Sequence, residues 1–125
     1  MPATVPTTVP PATRPVARGD VESYCGAARD YYATLDDYTG DLGLFPDQDE
    51  RDAAFLEFAA ENQDLGRALL ADAPADIADD VAAVLDAFEL AGEGDLSGYD
   101  TDEYASARDD LQNFELLRCG ILRFD

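Results

Sequence analysis

The chain has 125 residues, 28 of them acidic and 8 basic, for a formal net charge of −20. Every basic residue is an arginine, and Lys, His and Trp are absent. Schiff-base lysines, histidine-based triads and histidine metal ligands are therefore excluded, and a field of this sign disfavours nucleic-acid and anionic-lipid surfaces while favouring cations and basic partners.

Residues 1–19 are rich in proline and threonine and carry no periodic apolar face, so they read as a disordered stalk ahead of an acidic helical domain over 20–125. All the carboxylates lie at or beyond Asp20, whereas Arg14 and Arg18 precede it; the charge excess belongs to the domain. No apolar run has the length of a signal peptide or a transmembrane span. Spacers of this kind commonly follow a cleaved signal or a lipid-modified cysteine, so the expectation is an exported chain, with a possible lipid anchor upstream of it.

The first predicted helix runs from Asp20, a good N-cap, to about Asp37, with Val21, Tyr24, Cys25, Ala28, Tyr31, Tyr32 and Leu35 on one face. Gly40, Gly43 and Pro46 break the pattern. A second helix starts at Asp47 or Asp49 and continues to about Asp72 through Ala54, Phe55, Phe58, Ala59, Leu65 and Leu69; Asn62, Gln63 and Gly66 mark a point where it can kink or split. Ala73-Pro74 opens a third helix, proline being suited to the first helical position, with Ile77, Val81, Val84, Leu85 and Phe88 as its stripe and Gly92 and Gly94 as its stop. A fourth begins near Asp100, with Thr101 as a competing cap, and runs through Tyr104, Ala107, Leu111, Phe114 and Leu117 to Cys119-Gly120. The apolar tail then packs back across the domain.

Four helices with short links predict an all-α antiparallel four-helix bundle, in which the start of the first helix and the end of the last meet. Cys25 and Cys119 occupy those two places. An even cysteine count at such positions predicts a Cys25–Cys119 disulfide and, with it, an oxidising compartment.

The order of an early helical cysteine, an AP-x-x-I-x-x-D-V segment (Ala73, Pro74, Ile77, Asp80, Val81) and an A-R-x-x-L helix ending in Cys-Gly-Ile resembles uncharacterised small secreted proteins and lipoproteins of high-GC Gram-positive bacteria. The resemblance covers about residues 20–122 and implies a helical fold at the cell envelope without implying an activity.

Other constellations read as structural. Asp47, Asp49, Glu50 and Asp52, and Glu93, Asp95, Asp100, Asp102 and Glu103, supply calcium-type oxygen ligands but neither set has the spacing of an EF-hand loop. Both read as solvated charge at helix starts. Ser97 follows Asp95-Leu96, in the wrong order and before the wrong helix for a phosphopantetheine carrier, and reads as a loop residue. Tyr24, Tyr31, Tyr32 and Tyr38, with Phe45, Phe55 and Phe58, can line a groove for an apolar ligand or a partner helix; core burial with hydroxyls at the rim is the plainer reading.

The function expected from these residues is a non-enzymatic extracytoplasmic binding or accessory module acting with an envelope or extracellular partner, with no nucleic acid, cofactor or metal and with Cys25 and Cys119 as the residues assigned a role. Two alternatives stand beside it: an intracellular acidic inhibitor or nucleic-acid mimic that sequesters a basic protein, and a small hydrolase built on two carboxylates.

Overall fold

The computed structural model of the chain describes residues 16–43 and 45–122; the predicted stalk up to residue 15, Leu44 and residues 123–125 of the tail lie outside them. Among the described residues there are five α-helices and no strand: α1 Val21–Thr39, α2 Gln48–Glu61, α3 Gln63–Ala71, α4 Ala78–Gly92 and α5 Asp102–Phe114, followed by a π-helical turn over Glu115–Cys119. None of these helices is long and apolar enough to cross a membrane.

The helix starts follow from side-chain caps. The Asp20 carboxylate accepts the Ser23 N–H at 2.8 Å, which holds its carboxyl below the usual carboxylate range. Asp47 and Glu50 form a reciprocal capping box at the start of α2. Thr101, rather than Asp100, caps α5, its Oγ1 accepting the Tyr104 N–H at 3.1 Å.

The expected four-helix bundle is corrected to five helices, because the predicted second helix divides at Asn62. Asn62 leaves the helical region at φ −132° and ψ 36°. Its side-chain amide donates to Phe58 O at 3.0 Å, and the Gln63 amide donates to Ala59 O at 2.8 Å and Phe88 O at 3.1 Å. Side chains thus serve carbonyls that backbone N–H groups would serve in a continuous helix, so the break leaves few orphaned acceptors. The third predicted helix is also displaced: after Pro74 the chain makes a 3₁₀ turn over Ala75–Ile77, and the α-helix opens at Ala78.

α4 is the central element, packed against α2, α3 and α5, while α1 lies against α2, α3 and the π-turn. Val81, Leu85, Ala87, Phe88 and Ala91 bury its inner faces. Tyr31 and Phe58 meet Phe88 from α1 and α2 with ring centroids 5.4 and 5.6 Å away, tilted or edge-on as aromatic quadrupoles prefer.

The two ends of the domain are tied down. Ahead of Asp20, the Arg18 N–H donates to Ala71 O and the Gly19 N–H to Ala73 O, each at 3.2 Å, so the last residues of the predicted stalk are paired with the end of α3. At the other end Cys119 is disulfide-bonded to Cys25, with Cα atoms 5.3 Å apart. Gly120 follows at φ +70°, a conformation glycine adopts without the Cβ penalty, and closes the π-turn through its N–H to Glu115 O.

One seam carries a like-charge pair. Asp80 on α4 has its carboxyl pushed up by burial, then by the Asp110 carboxylate on α5, to which it is hydrogen-bonded, and by neighbouring Asp79. A folded-state value above the unfolded one means that the protonated group stabilises fully below pH 3.8, and that this contribution is lost as the pH rises through the raised value. Asp80→Asn mimics the protonated form. It is expected to melt a few degrees higher than the parent at neutral pH, with the gap closing as the pH falls towards 4; thermal melts across that range measure it, and a gap independent of pH contradicts the assignment.

Candidate functional site

A cavity of about 670 Å³ opens between α1, α2, α4 and α5. Five of the chain's six tyrosines line it: Tyr24, Tyr31 and Tyr32 from α1, Tyr99 from the Ser97–Asp100 turn and Tyr104 from α5. Phe55 of α2 and the aliphatic side chains of Leu35, Val84 and Leu96 complete an apolar wall, and Arg51, Asp52, Asp100, Arg108 and Gln112 supply polar groups. The cavity lies within the size range of ordinary small-molecule sites, roughly 300–1,000 Å³.

At one end the carboxylate of Glu115, 3% exposed, accepts the Tyr24 hydroxyl at 2.6 Å and the Tyr32 hydroxyl at 2.7 Å. Residues 24 and 32 are eight apart and fall on one face of α1. Burial, and then the adjacent Glu115 charge, push the Tyr24 hydroxyl far above the ordinary tyrosine range, so it stays protonated and donating. Glu115 is the first residue of the π-turn whose last residue is the disulfide-bonded Cys119, and its carbonyl also accepts the Ile121 N–H. The disulfide, the turn and the carboxylate therefore form one connected support for the cavity. π-turns of this kind occur frequently at functional sites.

Along another wall Tyr99 stands edge-on to Tyr104 with ring centroids 4.7 Å apart, and the Arg108 guanidinium lies 6.0 Å from the Tyr104 ring. The 97–100 turn reaches this position because Gly98 sits against α4, where a Cβ would come within 2.9 Å of Ala87 Cα. Burial pushes the Tyr99 hydroxyl well above its ordinary range, with Tyr31 and Tyr104 adding to it. Among the described residues, two buried side-chain polar atoms lack a hydrogen-bond partner, and both belong to this wall: the Tyr99 hydroxyl and Arg108 Nε.

The chain matches no protein-family model, no curated protein and no solved structure.

The aromatic residues divide between the two readings: Tyr24, Tyr31 and Phe58 are buried in the core, as the plainer reading expects, and Tyr24, Tyr31, Tyr32 and Phe55 also line the cavity. Tyr31 belongs to both the core and the cavity, and Phe58 is fully buried. Tyr38 hydrogen-bonds Glu61 and Asn62 near the α2–α3 break, and Phe45 is 94% exposed on the loop before α2. Tyr99, Tyr104, Arg108 and Glu115 were not anticipated as site residues. For Glu115 a signal existed: once Cys25 and Cys119 pair, a residue four before Cys119 must face the neighbourhood of Tyr24.

The acidic clusters lie at helix starts and loops, and one member of each, Asp52 and Asp100, also lines the cavity. Asp47 and Glu50 cap α2, Asp95 accepts the Ser97 N–H at 2.8 Å, and Ser97 itself is exposed. Among the described residues no three of Asp, Glu, Cys or His are grouped to hold a metal. Asp80, whose carboxyl is pushed up, does not line the cavity.

Proposed function

We propose that this domain is an extracytoplasmic binding module that holds a small amphipathic organic molecule in the tyrosine-lined cavity. The observation that carries the reading is the convergence of five tyrosines, drawn from three separate segments, on one cavity of ligand size. Tyrosine offers a large, rigid, partly apolar surface with a polar tip at small entropic cost, which suits reversible recognition. The disulfide agrees with an oxidising compartment, as does the resemblance to secreted and lipid-anchored proteins of high-GC Gram-positive bacteria. The acidic exterior keeps such a module hydrated and favours basic or cationic surroundings.

The neutral fluorophore N-phenyl-1-naphthylamine tests the reading. It is expected to brighten on binding the purified domain. Val84→Phe, which places added volume in the cavity from α4, is expected to abolish the signal while the far-ultraviolet spectrum keeps its helical form. Absence of brightening with the parent, or equal brightening with the filled variant, removes the cavity as a binding site.

A further inference from the structure

The two unpartnered polar atoms say more about the occupant. Tyr24 and Tyr32 direct their hydroxyls to Glu115 and so are already engaged. The Tyr99 hydroxyl and Arg108 Nε, whose side chains both lie beside Tyr104, are not. The Arg108 guanidinium donates through its exposed Nη2 to Asp109 at 3.2 Å, while its Nε is buried. Arg108 Nε can only donate, and a tyrosine hydroxyl that stays protonated can donate as well. A buried donor without a partner is costly, and the group that relieves two of them at once is one with two acceptor oxygens.

We infer that the cavity takes a carboxylate-headed amphipath, whose oxygens accept from Arg108 Nε and the Tyr99 hydroxyl while its hydrocarbon body lies against Phe55, Leu35 and Val84. This rests on the binding-module reading above and narrows it to a ligand class. A carboxylate is recognised here against the charge of the whole molecule. With 28 acidic residues to 8 basic ones, the general field draws in cations and repels anions. The cavity is also lined by Asp52, Asp100 and Glu115, so the two donors act against both these carboxylates and the general field, and the sign of discrimination decides which prevails.

The experiment is displacement of bound N-phenyl-1-naphthylamine by sub-micellar decanoate and by decyltrimethylammonium, which share a chain and differ in head group. Decanoate is expected to displace at a concentration about tenfold lower, the usual size of a charge-assisted hydrogen bond. The preference is expected to widen at about 1 M salt, where surface charge is screened within about 3 Å. Arg108→Leu and Tyr99→Phe, each made separately and checked by thermal melt, are expected to reduce it to within about threefold. Tyr99→Phe loses only an unpaired hydroxyl and keeps the fold. Equal displacement by the two compounds, a preference for the cation, or a preference for decanoate retained in both variants overturns the carboxylate assignment, and equal displacement is the result if water rather than a ligand oxygen serves these donors. If the fluorophore binds and neither compound displaces it, the carboxylate assignment falls and the binding module stands; if the fluorophore does not bind, both fall.

Discussion

Replacing Cys25 and Cys119 together by alanine is expected to lower the stability of the domain by about 4–5 kcal/mol, the loop-closure value for two residues 94 apart in sequence. Domains of this size are held by only about 5–15 kcal/mol, so the loss takes from about a third to nearly all of the margin and lowers the melting temperature by roughly 20 °C. Urea unfolding of parent and variant measures it, and a difference below about 1 kcal/mol refutes the entropic account. Both cysteines are buried, so mild reductant should act slowly on the folded protein and quickly once denaturant is added. The cost extends beyond entropy. Cys119 ends the turn that begins at Glu115, and Cys25 adjoins Tyr24 in sequence, so the cross-link also holds the Tyr24–Glu115–Tyr32 hydrogen bonds in register. Fluorophore binding should therefore weaken in the variant even at temperatures where it remains folded.

The cross-link was legible because the two cysteines stand in the first and last helical segments, although five helices rather than the predicted four lie among the described residues. α1 and the start of α2 were legible because Asp20 and the Asp47–Glu50 pair are caps with a local mechanism. The division at Asn62 was only partly legible. Periodicity continues across it, and what separates the helices is the reach of two side-chain amides back to Phe58 and Ala59, with the Gln63 amide also reaching Phe88 on α4. That last contact depends on tertiary placement, which single-segment propensity cannot supply. Pro74 misled in the same way: it fits a first helical position, yet a 3₁₀ turn intervenes and buries Ile77 before the α-helix begins. The site was the least legible part. Tyr24 and Tyr32 could be assigned to one face, but Tyr99 and Tyr104 meet that face only through the docking of α5 and the 97–100 turn on α4. Glu115 looked like one more acid in a chain full of them, and its burial is set by two hydroxyls more than eighty residues away.

Phe58→Ala is expected to cost about 3–5 kcal/mol, the range for deleting a fully enclosed phenyl ring. Phe58 is 0% exposed, and its ring centroid lies 5.2 Å from Tyr31, 5.5 Å from Tyr38, 5.9 Å from Phe55 and 5.6 Å from Phe88. It is the ring on which α1, α2 and α4 converge. Phe58→Leu keeps much of the apolar volume and loses the edge-to-face contacts, each worth about 0.5–1.5 kcal/mol beyond area. If volume dominates, leucine recovers most of what alanine loses; if ring geometry dominates, the two variants lie close together. Chemical denaturation of the pair separates these cases, and a loss below about 1.5 kcal/mol for alanine contradicts the burial itself. The same pair bears on the cavity. Tyr31 and Phe55 line it and both lean on Phe58, so alanine removes the backing from two walls, whereas leucine retains it. N-phenyl-1-naphthylamine binding is accordingly expected to survive Phe58→Leu and to weaken in Phe58→Ala under conditions where both are folded. Such a result would place the core ring, which does not line the cavity, among the residues that hold the cavity's shape.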